Sequence, residues 1–165
     1  MISVLERVDI EQIKKDIGVL EKELGWKRHG PHKGYQNIYL QSSKTCELID
    51  GYITKTKEEE QSFDTLCIPE DMYIAKLITK HGLTRSRFTK INGGLCFPMH
   101  NDRVRRVHIA VESNENCFFA TRTSSHFVVP ESLCLLDSME IEHTFVNANP
   151  WEYERTHFLA GYPDE

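Results

Sequence analysis

From Thr84 onward, short runs of β-forming residues alternate with turn signals, a rhythm that confines this part of the chain to a sandwich or barrel. Arg87–Ile91, Leu95–Phe97, Val104–Val111, Asn116–Ala120, His126–Val129, Leu133–Asp137, Glu142–Val146 and Arg155–Ala160 read as strands. Asn92-Gly93-Gly94 marks the first tight turn between them.

The N-terminal portion has a different period. Ile10, Ile13, Ile17, Leu20 and Leu24 form a helical stripe, with Asp9 placed to accept first-turn amides and Gly25 as the stop. Gly34–Leu40 reads as a strand, and the charge-dense run Thr54–Gln61 as a solvated loop or short exposed helix. A second helix is expected from Pro69 to just before Gly82, burying Tyr73, Ile74, Leu77 and Ile78. The fold class is therefore α+β. The expectation is one domain over residues 1–165, in which 1–83 support a β-rich core at 84–162.

Composition narrows the function classes. With 39% hydrophobic and 27% charged residues and a mean hydropathy of −0.46, the chain has a soluble globular make-up. A net charge of −5 and a pI near 5.9 argue against a global attraction to nucleic acid or anionic membrane. No apolar stretch is long enough to span a bilayer, and the first residues lack the organisation of a secretory signal. Five scattered cysteines, Cys46, Cys67, Cys96, Cys117 and Cys134, without Cys-x-x-Cys, fit reduced thiols in a cytoplasmic protein.

His100-Asn101-Asp102 carries the chemistry. On a strand, side chains two apart share a face, so His100 and Asp102 would point the same way. A distant histidine, His143, would complete two imidazoles and one carboxylate, a set that binds iron(II) on one side and leaves positions open. Arg155 follows at a short interval and could hold a dicarboxylate. Spacing alone also permits other accounts. His100 and Asp102 fit a solvated turn beside Pro98, His143 an ordinary strand histidine, and Arg155 a surface pair with Glu152 or Glu154.

The longer context favours the metal reading. Arg87-Phe88-Thr89-Lys90-Ile91-Asn92-Gly93-Gly94, then Pro98-Met99-His100-Asn101-Asp102, then Arg106-Val107-His108-Ile109-Ala110-Val111, resembles the aspartyl/asparaginyl β-hydroxylase family. His143-Thr144-Phe145-Val146-Asn147 and Arg155-Thr156-His157-Phe158-Leu159 continue the likeness across roughly the C-terminal half. The resemblance implies a double-stranded β-helix, a jelly-roll or cupin-like barrel, with the N-terminal helices packed on it. It also implies an Fe(II)- and 2-oxoglutarate-dependent dioxygenase that uses O₂ to hydroxylate an amino acid, free or in a peptide, releasing succinate and CO₂. On this likeness His100, Asp102 and His143 take the metal positions. Arg155 takes the distal carboxylate of 2-oxoglutarate, and Arg106, His108 and Thr89 are further co-substrate contacts. Some vertebrate relatives have glycine at the carboxylate position; this chain keeps Asp102 and is closer to the bacterial amino-acid hydroxylases.

Alternatives remain open at the outer positions. Arg103 and Arg105 offer other registers for Arg106 and His108, and Thr89 has an equally good packing role. Arg103, Arg105, Arg122 and His126 fit a substrate-binding mouth or a solvated rim, and Trp151 a pocket cap or a loop anchor. His157 receives no chemistry. Two other functions compete: a cupin-like metalloprotein that does not use 2-oxoglutarate, and a barrel that binds without catalysis.

Overall fold

The structure, a computed structural model, describes residues 2–28, 33–43 and 56–163. Thr54, Lys55 and Cys46 lie outside them. The N-terminal part contributes β1 (Ile2–Arg7), α1 (Ile10–Glu23), β2 (Lys27–Arg28), β3 (Tyr35–Tyr39) and β4 (Gln41–Ser42). It continues with α2 (Lys57–Gln61), β5 (Thr65–Leu66) and α3 (Tyr73–Lys80). The C-terminal part runs β6 (Thr84–Asn92), β7 (Leu95–Cys96), β8 (Arg106–Glu112), β9 (Cys117–Thr121), β10 (Ser125–His126), β11 (Ser132–Leu136), β12 (His143–Asn147) and β13 (Glu154–Gly161).

Antiparallel pairing assembles a seven-stranded sheet in the order β1-β11-β8-β13-β6-β3-β2 and a four-stranded sheet β10-β9-β12-β7. β4 and β5 form a separate pair. Along the C-terminal part the chain alternates between sheets: β6, β8, β11 and β13 join the large one, and β7, β9, β10 and β12 the small one.

Period-two alternation gives the large sheet two distinct faces. Phe88, Val107, Ile109, Phe158 and Ala160 point outward into a buried cluster. That cluster also holds Ile13 and Leu20 of α1 and Ile74, Ala75, Leu77 and Ile78 of α3. Phe88 and Phe158 meet edge-to-face with ring centroids 5.9 Å apart. Each such side chain contributes about 1.5–3 kcal/mol by leaving water. The residues between them, Arg87, Thr89, His108, Arg155 and His157, face the small sheet and a cavity between the two layers.

Asp9 caps α1 by accepting the Gln12 amide, as its place before the stripe leads one to expect. α3 is shorter than the sequence suggests, starting at Tyr73 rather than Pro69, and it lacks a side-chain cap of its own. Its first turn is capped from another helix, because the Asp16 carboxylate accepts the Ile74 amide at 2.8 Å. In place of Tyr73, Ala75 joins the buried stripe of α3. β1, at the edge of the large sheet, has no counterpart in the sequence reading; a register shift between Val4 and Glu6 blurs its alternation. Cys67, Cys96, Cys117 and Cys134 are free thiols. No helix among the described residues is long and apolar enough to cross a membrane.

Candidate functional site

His100 and Asp102 do not sit on a strand. Between β7 and β8 the chain loops, and His100 makes a single bridge to His143. Each donates its amide to the other's carbonyl at 2.9 Å, and this exchange sets the two rings 4.7 Å apart by centroid. Asp102 is pinned by its amide to the Ser138 carbonyl at 3.0 Å, and Asn101 Nδ2 donates to the Met139 carbonyl at 3.0 Å. The side chains therefore converge through loop anchoring and not through pleat alternation, the mechanism that spacing alone suggests.

His100, Asp102 and His143 offer three donor atoms within 4.8 Å of one another. Asp102 Oδ1 lies 3.8 Å from His100 Nε2, and its Oδ2 lies 3.5 Å from His143 Nε2. Those separations exceed a good hydrogen bond and suit ligands spread about one cation. His100 Nδ1 sits 2.9 Å from the Pro98 carbonyl and His143 Nδ1 2.9 Å from the Ile141 carbonyl. A carbonyl can only accept, so each ring places its proton on Nδ1 and presents the Nε2 lone pair to the centre.

Electrostatics sharpens the donor set. Burial acts to raise the Asp102 pKa, but the Arg106 charge, with His143 and Ser138, outweighs it and holds the carboxyl well below the usual range. Burial acts to lower the His143 pKa, and the Asp102 carboxylate outweighs it, so the net shift is upward. The residues fit a divalent cation: two imidazole nitrogens and one ionised oxygen converge, with the ring orientations fixed from behind.

All seven residues singled out from the sequence line one cavity of about 140 Å³ between the sheets. Thr89 donates its hydroxyl to Asn37 Oδ1 of β3 at 2.9 Å. Arg106 is fully committed to carboxylates: its Nη1 bonds Glu60 of α2, and its Nε lies 3.4 Å from Asp102 Oδ1. His108 is buried with no partner for Nδ1. Burial, followed by the Arg155 charge, pushes its pKa well below the ordinary histidine value.

Arg155 does not form the surface pair with Glu152 or Glu154 that spacing also allowed. It is 2% exposed, its guanidinium lies over the Phe145 ring, and Nε has no hydrogen-bond partner. Burial drives its pKa well below the usual arginine value, and the nearby Cys117, Tyr35 and Tyr153 counteract this only in part. A guanidinium buried without a carboxylate partner is costly to the fold.

The charged run Thr54–Gln61, whose described part forms α2, is not a wholly solvated face. Glu60 is 1% exposed and pairs with Arg85 as well as Arg106. Arg103, Arg105, Arg122 and His126, which fitted either a substrate-binding mouth or a solvated rim, do not line the cavity. Arg122 pairs with Glu142 at 2.6 Å, His126 contacts Ser124 at 2.8 Å, and Arg105 packs on Tyr162. Trp151 is half exposed and does not line the cavity. The reading from sequence passed over Tyr35, Arg87 and His157, which do line it. Period two from Thr89 and Arg155 would have found the last two; nothing marked Tyr35 or Glu60.

No protein-family model matches the chain, and no curated protein matches it. Its fold is similar to that of a Pseudomonas putida prolyl-4-hydroxylase. The two superpose with a TM-score of 0.54 at 13% sequence identity, over 99% of this chain and 92% of that one. At that identity the likeness is one of fold.

Proposed function

We propose that this chain is an Fe(II)- and 2-oxoglutarate-dependent dioxygenase that hydroxylates an amino acid, free or within a peptide. The observation that carries the reading is one cavity holding a His-Asp-His donor set and a buried arginine with no carboxylate partner. The fold likeness to a hydroxylase and the alternation of strands between two sheets, which we read as a double-stranded β-helix, support it. The ordered motifs around His100, Arg106 and His143 support the aspartyl/asparaginyl β-hydroxylase-like branch. We read the described residues as a single oxygenase domain and its free thiols as those of a cytoplasmic protein.

In this reading His100, Asp102 and His143 hold the iron, and Arg155 binds the distal carboxylate of 2-oxoglutarate, its forked donors matching two oxygens. Thr89 and His108 line the co-substrate's path, and Arg106 steadies Asp102 while facing the same cavity. Together the bound metal and 2-oxoglutarate supply, with O₂, the oxidising power for C–H hydroxylation, and succinate and CO₂ leave. Phe119 and Phe145, in edge-to-face contact at 4.2 Å, give the space between the two sheets an apolar wall. A cupin-like metalloprotein without 2-oxoglutarate has no use for a buried, unpaired Arg155, which ranks that reading second.

The test is release of labelled CO₂ from 2-oxoglutarate with Fe(II) and O₂, screened against free amino acids and short peptides. Stimulation by one substrate class, abolished in His143→Ala, is the expected result. Metal-dependent turnover of some other compound without 2-oxoglutarate would overturn it.

A further inference from the structure

Among the described residues that line the cavity, His157 is the side chain whose two ring nitrogens both lack a partner, and the function proposed above gives it no role. It lies two residues after Arg155 on β13, on the same inward face, and is 1% exposed. It stands opposite Thr89 of β6 and Ala110 of β8 in the strand register. Its ring meets Phe145 edge-on at 5.1 Å and His108 at 6.0 Å. Neither ring nitrogen has a hydrogen-bond partner, and the side chain lines the same cavity as Arg155 and the donor set.

A buried imidazole with both nitrogens unsatisfied costs free energy that phenylalanine or leucine would not. The outward residues of β13, Phe158 and Ala160, show that this strand uses apolar side chains where packing alone is at stake. Metal ligation does not explain His157, since the donor group among the described residues is His100, Asp102 and His143. What is left is a ligand in the cavity.

We propose that His157 is a further co-substrate-binding residue, donating a ring N–H to a carboxylate oxygen of the 2-oxoglutarate anchored by Arg155. This rests on the function proposed above. Burial, then the Arg155 charge, keeps the ring neutral, so it offers one N–H without adding a second positive charge. The arrangement gives the carboxylate a charged fork from one side chain and a neutral donor from the next inward position on the same strand.

Anaerobic calorimetric titration of 2-oxoglutarate into Fe(II)-loaded wild type, His157→Phe and His157→Asn tests this, with Fe(II) affinity measured in parallel. His157→Phe should lose about ten- to a hundredfold in 2-oxoglutarate affinity with Fe(II) affinity unchanged, and His157→Asn should recover part of the loss. A second reading needs no variant: in zinc-loaded wild type labelled with ¹⁵N-histidine, saturation with 2-oxoglutarate should shift the His157 ring N–H resonance. Tight binding by His157→Phe, or an unmoved His157 resonance at saturation, would overturn the role of His157 alone. Failure of the wild type to bind 2-oxoglutarate would remove the proposed function and this inference together.

Discussion

The guanidinium of Arg155 lies over the face of Phe145, and none of the charges that reach it is a carboxylate. The interior therefore carries a desolvated guanidinium packed on a ring, with Cys117, Tyr35 and Tyr153 nearby. Burying such a group without a counter-charge costs stability, and the proposed function assigns it the carboxylate of 2-oxoglutarate.

Arg155→Met follows directly. Removing an uncompensated buried charge while keeping the volume should stabilise the ligand-free protein, on the order of 1–3 kcal/mol. The same change should raise the apparent KM for 2-oxoglutarate by at least about tenfold, the loss of a charge-assisted bidentate contact. Thermal melting and co-substrate titration of one sample check both. A variant that melts lower and still binds 2-oxoglutarate would show Arg155 to be structural.

Glu60 carries the opposite sign of argument, because it is a buried acid paired with arginines. Glu60→Gln strands those cations and should cost about 3–5 kcal/mol. Burial acts to raise the Glu60 pKa, but Arg106, then Arg85 and Arg87, outweigh it, so the folded value lies below 4.5. A depressed folded pKa gives stability that is complete above the unfolded value and is lost as pH falls towards the folded one. Urea midpoints should therefore drop more steeply between about pH 5 and 3 in wild type than in Glu60→Gln. Parallel profiles would contradict the pairing.

Gly93 sits where a Cβ would overlap the carbonyls of Asn149 and Pro150, so the β6–β7 turn and the loop before β13 share one space. Gly93→Ala should destabilise by on the order of 3 kcal/mol through forced backbone shifts. A Cβ at Gly94 meets nothing within 4 Å, so Gly94→Ala should cost only the strain of an L-residue at a φ of 73°, about 1–2 kcal/mol. Chemical denaturation of the pair gives the ranking; a larger loss at Gly94 would reverse this account of the turn.

Asp16 ties α1 to α3 through the Ile74 amide. Asp16→Ala should cost about 1–2 kcal/mol, the worth of a helix cap, and hydrogen exchange should quicken in the first turn of α3. Unchanged protection there would show that the contact contributes nothing.

How far the sequence reached can be judged residue by residue. The strand rhythm after Thr84 was legible because each segment is short, two-faced and bounded by turn residues. α1 was legible because its stripe and Asp9 cap are local. β1 was not, since the shift at Val4/Glu6 breaks its period. His100 and Asp102 were picked out by residue type, yet their convergence comes from anchors to His143, Ser138 and Met139 far along the chain. Glu60 was hidden for the same reason. Within Lys57-Glu58-Glu59-Glu60 nothing local distinguishes the one glutamate that arginines on β6 and β8 draw inside.

The central claim, that His100, Asp102 and His143 together with Arg155 assemble an iron and 2-oxoglutarate site, is tested most directly by anaerobic titration with both components. The observable is the weak visible charge-transfer band of the iron–keto-acid chelate. The account predicts a band that needs both Fe(II) and 2-oxoglutarate and is absent in His143→Ala. Iron binding without any band at saturating 2-oxoglutarate would contradict it.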